Sequence, residues 1–285
     1  MKIAQADIIM RIENLNEKAY NKKILLILLD NIKNMRKMKE KGAIAIIPIK
    51  GMITSEESAF GLMTASTEVI RDIEEAEKKR KIKAVIFEIN SPGGTPFASK
   101  EIATCIENMD KPAIAWVREH AASGAYWVAS ACDEIVADEL STVGSIGVMS
   151  IRPDIGELMK KFGIDVETLK TGVYKGLGLP YEKPTEEERE LMKKELDEIQ
   201  DSFLNAIVKN RGLDMNDAKV KDLSTGKVYL GREAKEMGLI DHLGGRDLAI
   251  RIAKERSGIK KEKIIDYSER RRKGFLRRLM EDMMR

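Results

Sequence analysis

The 285-residue chain is long enough for a sizeable core, and 43% hydrophobic with 34% charged residues marks a folded globular protein, not a disordered one. A formal net charge of +3 and only 5% aromatic residues give no footing for a nucleic-acid partner, by phosphate neutralisation or by base stacking. Two separated cysteines, Cys105 and Cys132, and two isolated histidines, His120 and His242, fit neither a disulfide framework nor a metal site, so no metal and no cofactor is expected.

Residues 1–42 carry ten Lys/Arg and five Asp/Glu, with Ile24, Leu25, Leu28, Leu29 and Ile32 in helical spacing. They are expected to form a charged helical extension that packs on the core or on a neighbouring subunit, with attachment to a membrane surface as the alternative. The apolar run Ile24 to Leu29 is too short for a bilayer span, which needs about 20 residues, and for a signal-peptide core, which needs at least about 7. The expected location is cytoplasmic or peripheral to a membrane.

From residue 43 strands and helices alternate. Ala43 to Ile47 is a continuous apolar run, as in a strand buried on both faces. A helix is expected over 66–80, capped by Ser66 or Thr67, with acids early and bases late. A strand over Ala84 to Ile89 ends at the turn cluster Asn90-Ser91-Pro92-Gly93-Gly94. There follow a helix from Pro96 to Asn108, a strand over Ala113 to Val117, a helix from Ser123 to Ala131 and a short strand over Glu134 to Ala137. Residues 141–149 are expected as a small-residue loop entering another strand, 153–162 as a helix, Val166 to Leu169 as extended, 171–184 as a Gly- and Pro-containing loop, and 185–211 as a long charged helix. Shorter helices are expected over 231–238 and 245–257. The tail 269–285 carries seven Lys/Arg against three Asp/Glu and reads as a basic helix. The expected organisation is an extension (1–42), an α/β core (43–250) and a basic helical tail (251–285).

Three segments carry chemistry. The glycine pair Gly93–Gly94 follows a buried strand, where open α/β sheets place ligands, and bare backbone N–H groups there can bind an oxyanion. Ser123 lies among Ala121, Ala122, Gly124 and Ala125 at a helix start; it is a helix cap or a nucleophile, and the Gly124 N–H is a second oxyanion donor. Lys175, 52 positions later, sits between Gly172 and Gly176; it is a surface lysine or, if kept from water, a base. His120 is a weaker choice of base because no third group is evident to orient it.

These segments resemble the signal peptide peptidase A family, the S49 serine proteases of the ClpP/crotonase superfamily, over roughly residues 43–250. The resemblance rests on Ile44 to Gly51, Asn90 to Gly94, Ala122 to Ala129, Gly144 to Val148 and Thr171 to Lys175. It implies a ClpP/crotonase-like repeated β-β-α spiral core, a catalytic Ser123/Lys175 dyad, an oxyanion site on Gly93, Gly94 and Gly124, and supporting roles for Asn90, Thr142 and Ser145. It implies hydrophobic unfolded peptides, such as cleaved signal peptides, as substrates, and a homo-oligomeric ring in which serine and lysine meet across subunits. The sequence departs from the family at Gly176, where a serine that steadies the lysine is common; Thr142 or Ser145 is the expected substitute. A non-catalytic peptide-binding scaffold and a crotonase-like acyl-CoA enzyme are the competing readings.

Overall fold

The computed structural model describes residues 41–56 and 63–268. The expected helical extension lies outside these residues except at Lys41 and Gly42, which are strand, and the segment 269–285 lies outside them entirely.

The core is one mostly parallel sheet. Its strands are β1 (Lys41–Lys50), β4 (Ile82–Ser91), β5 (Ala113–Ala122), β6 (Glu134–Ala137), β9 (His242–Leu243) and β10 (Lys261–Asp266), in the order β10-β1-β4-β5-β6-β9. Strand β7 (Thr142–Gly144) pairs parallel with the end of β5 and antiparallel with β8 (Val228–Leu230). A small parallel pair, β2 (Met52–Thr54) and β3 (Met63–Ala65), follows β1. Strands β1 and β4, and β5 as far as Val117, read as near-continuous apolar runs because both of their faces are covered over most of that length. On one face lie α1 (Ser66–Lys78), α2 (Pro96–Glu107), α3 (Gly124–Ser130) and part of α5 (Glu186–Arg211), closing over Ile47, Phe87, Ile89 and Val117; Trp127 of α3 stacks on Phe203 of α5 at 4.7 Å. On the other lies α8 (Arg246–Ser257), whose Ala249, Ile252 and Ala253 cover Ile44, Ile46, Ile86 and Ile114. Three shorter helices, α4 (Gly156–Lys161), α6 (Ala218–Leu223) and α7 (Gly231–Glu236), lie between these elements.

The long helix expected over 185–211 is α5, opened by a reciprocal capping box between Thr185 and Glu188 and closed by Gly212 in the left-handed region. Five expectations change. Ala65, not Ser66 or Thr67, precedes α1, because the Ser66 hydroxyl is drawn away to Glu101 on α2 at 2.6 Å. The loop at 141–149 contains a strand, β7, instead of leading into one, and Val166 to Leu169 pairs with no strand. The stretch after α8, expected to be helical, supplies β10, which pairs with β1 from Lys41–Lys261 to Ile46–Asp266. Strand β5 runs five residues further than its apolar core, to Ala122, so Ser123 stands directly at the end of a central strand.

Cys132 is buried and Cys105 half-buried; both are free, and burial pushes both thiols up. Among the described residues no helix is long and apolar enough to cross a membrane.

Candidate active site

Ser123 is the single residue between β5 and α3, with φ 51° and ψ −127°. A non-glycine residue rarely adopts this conformation, which costs on the order of 1–3 kcal/mol unless the surroundings enforce it. Its hydroxyl makes no capping bond to α3, so the helix-cap role is not taken up. The carbonyl instead accepts the N–H groups of Tyr126 and Trp127, and its own N–H donates to Gly144 O at 2.8 Å. Gly144 is braced in turn: Ser145, also at φ 51°, donates its N–H to Lys227 O at 2.8 Å, and a Cβ on Gly144 would meet that oxygen and the Tyr229 ring at 3.0 Å. The β7–β8 pair therefore holds the turn from one side.

The glycine loop holds it from the other. Gly93 sits at φ +105°, its N–H accepted by the buried Ser91 hydroxyl at 3.1 Å. A Cβ there would lie 2.8 Å from Ala122 O and 2.9 Å from both Gly124 N and Ser123 Cβ, so only glycine allows the loop to touch the turn. Strand β2 clamps the loop: Ile53 N–H donates to Gly93 O at 2.8 Å and Ile53 O accepts from Thr95 at 2.9 Å. In an extended segment the groups of the residue between point the other way. The Gly94 N–H is thus turned from Ile53, and lies 3.4 Å from where a Cβ of Gly124 would stand. A Cβ on Gly94 would fall 1.9 Å from Ile53 O, and one on Gly124 2.1 Å from Ser99 Oγ. The Gly124 N–H, first in α3, has no acceptor within its helix. Two free backbone donors thus flank a strained serine at a helix N-terminus, an arrangement able to stabilise a negative oxygen.

The remaining residues singled out in the sequence separate into two groups. Asn90 and Thr142 position the end of β5: Asn90 Oδ1 accepts His120 N–H at 3.3 Å, and the Thr142 hydroxyl meets His120 Nδ1 at 2.8 Å and Glu119 O at 3.3 Å. The His120 ring is thus directed to Thr142, with no bond to Ser123. Lys175 is exposed, in the arm between Ile146 and α5, and its amine bonds to no described residue. The arm is closed on itself by the Arg152 guanidinium, which donates to Leu179 O at 2.6 Å and Glu182 O at 2.8 Å. Tyr174 donates to Glu187 at the start of α5, and this bond raises the phenol above its ordinary pKa. Gly176 adopts φ +105°, where a Cβ would lie 2.8 Å from Leu179 Cδ1. A serine there would be strained, which accounts for the glycine. The clamps from Ile53, Lys227 and Tyr229 left no mark in the sequence; the Gly144-Ser145 pair was the signal nearest to them.

Residues 106–260, more than half of the chain, match the peptidase family S49 profile. The chain belongs to peptidase family S49. Residues 43–157 also match the NfeD1b N-terminal domain. Among curated relatives of this S49 chain, a Methanocaldococcus jannaschii protein named as a candidate protease is 36% identical over 71% of this chain and 65% of its own. An Enterococcus faecium protein named as a candidate signal peptide peptidase SppA is 31% identical over 90% of this chain and 70% of its own. The chloroplastic serine protease SPPA of Arabidopsis thaliana is 34% identical over 79% of this chain; the S49 chain spans only 33% of that protein's length.

Proposed function

We propose that this S49 chain is a serine endopeptidase built on a ClpP/crotonase-like core, with Ser123 as nucleophile and Lys175 as general base, and that the two meet across a subunit boundary. The observation that carries the reading is the left-handed Ser123 between two free N–H groups, a costly conformation that helix capping does not use. Ser123 Oγ attacks the scissile carbonyl as the lysine amine takes its proton; the oxyanion rests on Gly94 and Gly124 N–H, and the ammonium returns the proton to the leaving amine. Water, deprotonated by the same amine, then releases the acyl group from the serine.

The arm supports the subunit boundary. Met149, Ile151, Phe162, Leu169 and Val173 are each at least 74% exposed in the single copy, an apolar load that a neighbouring copy would cover. Burial there would also exclude water from around the Lys175 amine. Extended apolar peptides, such as cleaved signal peptides, suit a site whose walls are strand ends and glycine backbone.

Ser123→Ala and Lys175→Ala are each expected to lower cleavage of an unstructured apolar peptide about a thousandfold or more while retaining fold. Equimolar mixing with subunit exchange is expected to restore part of the activity, because some sites then combine Ser123 of one variant with Lys175 of the other. Turnover by either variant alone at the rate of the unmodified protein refutes the dyad; inactive mixtures place both residues in one copy.

A further inference from the structure

The sheet face under α8 changes character halfway along its strands. Its lower half is apolar (Ile46, Ile86, Ile114) and covered by α8. Alternation then places Pro48 and Lys50, Glu88 and Asn90, and Trp116 on the upper half of the same face, and the ion pair with Glu88 puts Arg118 there; beyond Val117 the register shifts against β4 and Arg118, Glu119 and His120 are all exposed. The Glu88 side chain is only 8% exposed and draws two cations to one carboxylate oxygen: Lys50 Nζ at 3.0 Å and Arg118 NH1 at 3.2 Å. Both cations stay close to half exposed, at 44% and 45%, so the cluster keeps one net positive charge with unused donors facing outward. Arg118 also lies over the half-buried Trp116 ring, 5.9 Å from its centroid, which restricts the guanidinium plane. A partly buried ion triad is a poor way to gain stability, since desolvation offsets the attraction. Here it orients two cations on an open face whose strands lead straight to Gly93–Gly94 and Ser123.

We infer that this cluster is a subsite for a carboxylate of the peptide substrate. The inference rests on the peptidase reading above and gives that site a preference by charge. Arg118 precedes Ser123 by five residues, but the register shift against β4 (Ile89 opposite Val117, Ser91 opposite Ala121) takes up two of them, so the rise is about 10 Å. An extended peptide with its scissile carbonyl at Ser123 therefore presents about its third residue from the cut to Arg118 and Lys50. An acidic side chain, or the terminal carboxylate of a short peptide, meets a guanidinium fork and an ammonium there.

The test uses the full chain and a series of acetylated, amidated ten-residue Leu/Ala peptides with one Glu stepped along them, each paired with its Gln counterpart. One further peptide carries a free C-terminus. Cleavage sites and kcat/KM are read by mass spectrometry, and affinity by titration of the Ser123→Ala protein. At one register the Glu peptide is expected to exceed its Gln counterpart about tenfold, the worth of a charged hydrogen bond at a half-exposed site. Arg118→Gln should bring that ratio near one and Lys50→Gln should halve it at least, while Lys261→Gln on the edge strand β10 leaves it unchanged. If a free C-terminus alone is preferred, the carboxylate read is the terminal one. Equal rates and affinities for Glu and Gln at every register, or a preference that survives Arg118→Gln, overturn the subsite. Absence of cleavage of every peptide overturns the peptidase reading instead, and the affinities still decide the subsite.

Discussion

A methyl group added at Gly94 would stand 1.9 Å from a backbone oxygen, whereas one added at Gly163 or Gly178 of the arm would meet nothing within 4 Å. Ala121, at the end of β5, is fully buried, while Leu169 of the arm is 89% exposed. The Ser123 turn is held by β2, by the β7–β8 pair and by α3, each through backbone bonds within one copy. The arm has a self-made closure at Arg152 and Tyr174 and little core of its own. Half of the machinery is thus preorganised by the fold, and on our reading the other half waits for a neighbour. Preorganised donors cost nothing at the moment of reaction; on the same reading, a lysine carried on an uncovered arm takes up its role only when a neighbour covers the arm. Such a division would keep the lone subunit from cleaving peptides.

Five measurements can break or sharpen that contrast. Lys175→Ala is expected to lower kcat/KM about a thousandfold, the size of a general-base contribution, with unchanged thermal denaturation. Gly94→Ala is expected to cost about a hundredfold through displaced donors, and, unlike the lysine change, to lower the melting temperature, because Ile53 must move. Leu169→Asp with Phe162→Asp should shift the particle to a smaller species in sedimentation and reduce activity about tenfold or more, with the circular dichroism of the core intact; an unchanged particle would remove the arm from the interface. Tyr174→Phe deletes the bond to Glu187 and is expected to lower kcat about fivefold, the equivalent of one hydrogen bond. Asp241→Asn strips a partner from Arg211, whose bidentate bonds of 2.7 and 3.1 Å lie at the opposite end of the strands. It should destabilise by about 2 kcal/mol in denaturant titration and leave kcat unmoved.

Much of the site was legible because its chemistry is local. Asn90 to Gly94 had to be a tight turn after a buried strand, and Ser123 followed by Gly124 had to open a helix. Those inferences need only dihedral preferences and apolar periodicity. The strained dihedrals of Ser123 were not legible, since on local sequence a serine before a helix reads first as a cap. Nor was the strand character of Arg118 to Ala122, whose charged residues face an uncovered part of the sheet, nor β10, whose Lys-Glu-Lys start suits a solvent-facing edge.

Residue order alone determined an α/β architecture, the glycine loop, the position of Ser123 and the capped helix α5, because each depends on neighbours within a few positions. Which face of the turn Gly94 presents, why Gly93 and Gly124 admit no side chain, and how Gly144 holds Ser123 were decided only by the packed structure. Those contacts join residues dozens of positions apart, and steric exclusion between such segments acts only once the sheet has brought them together.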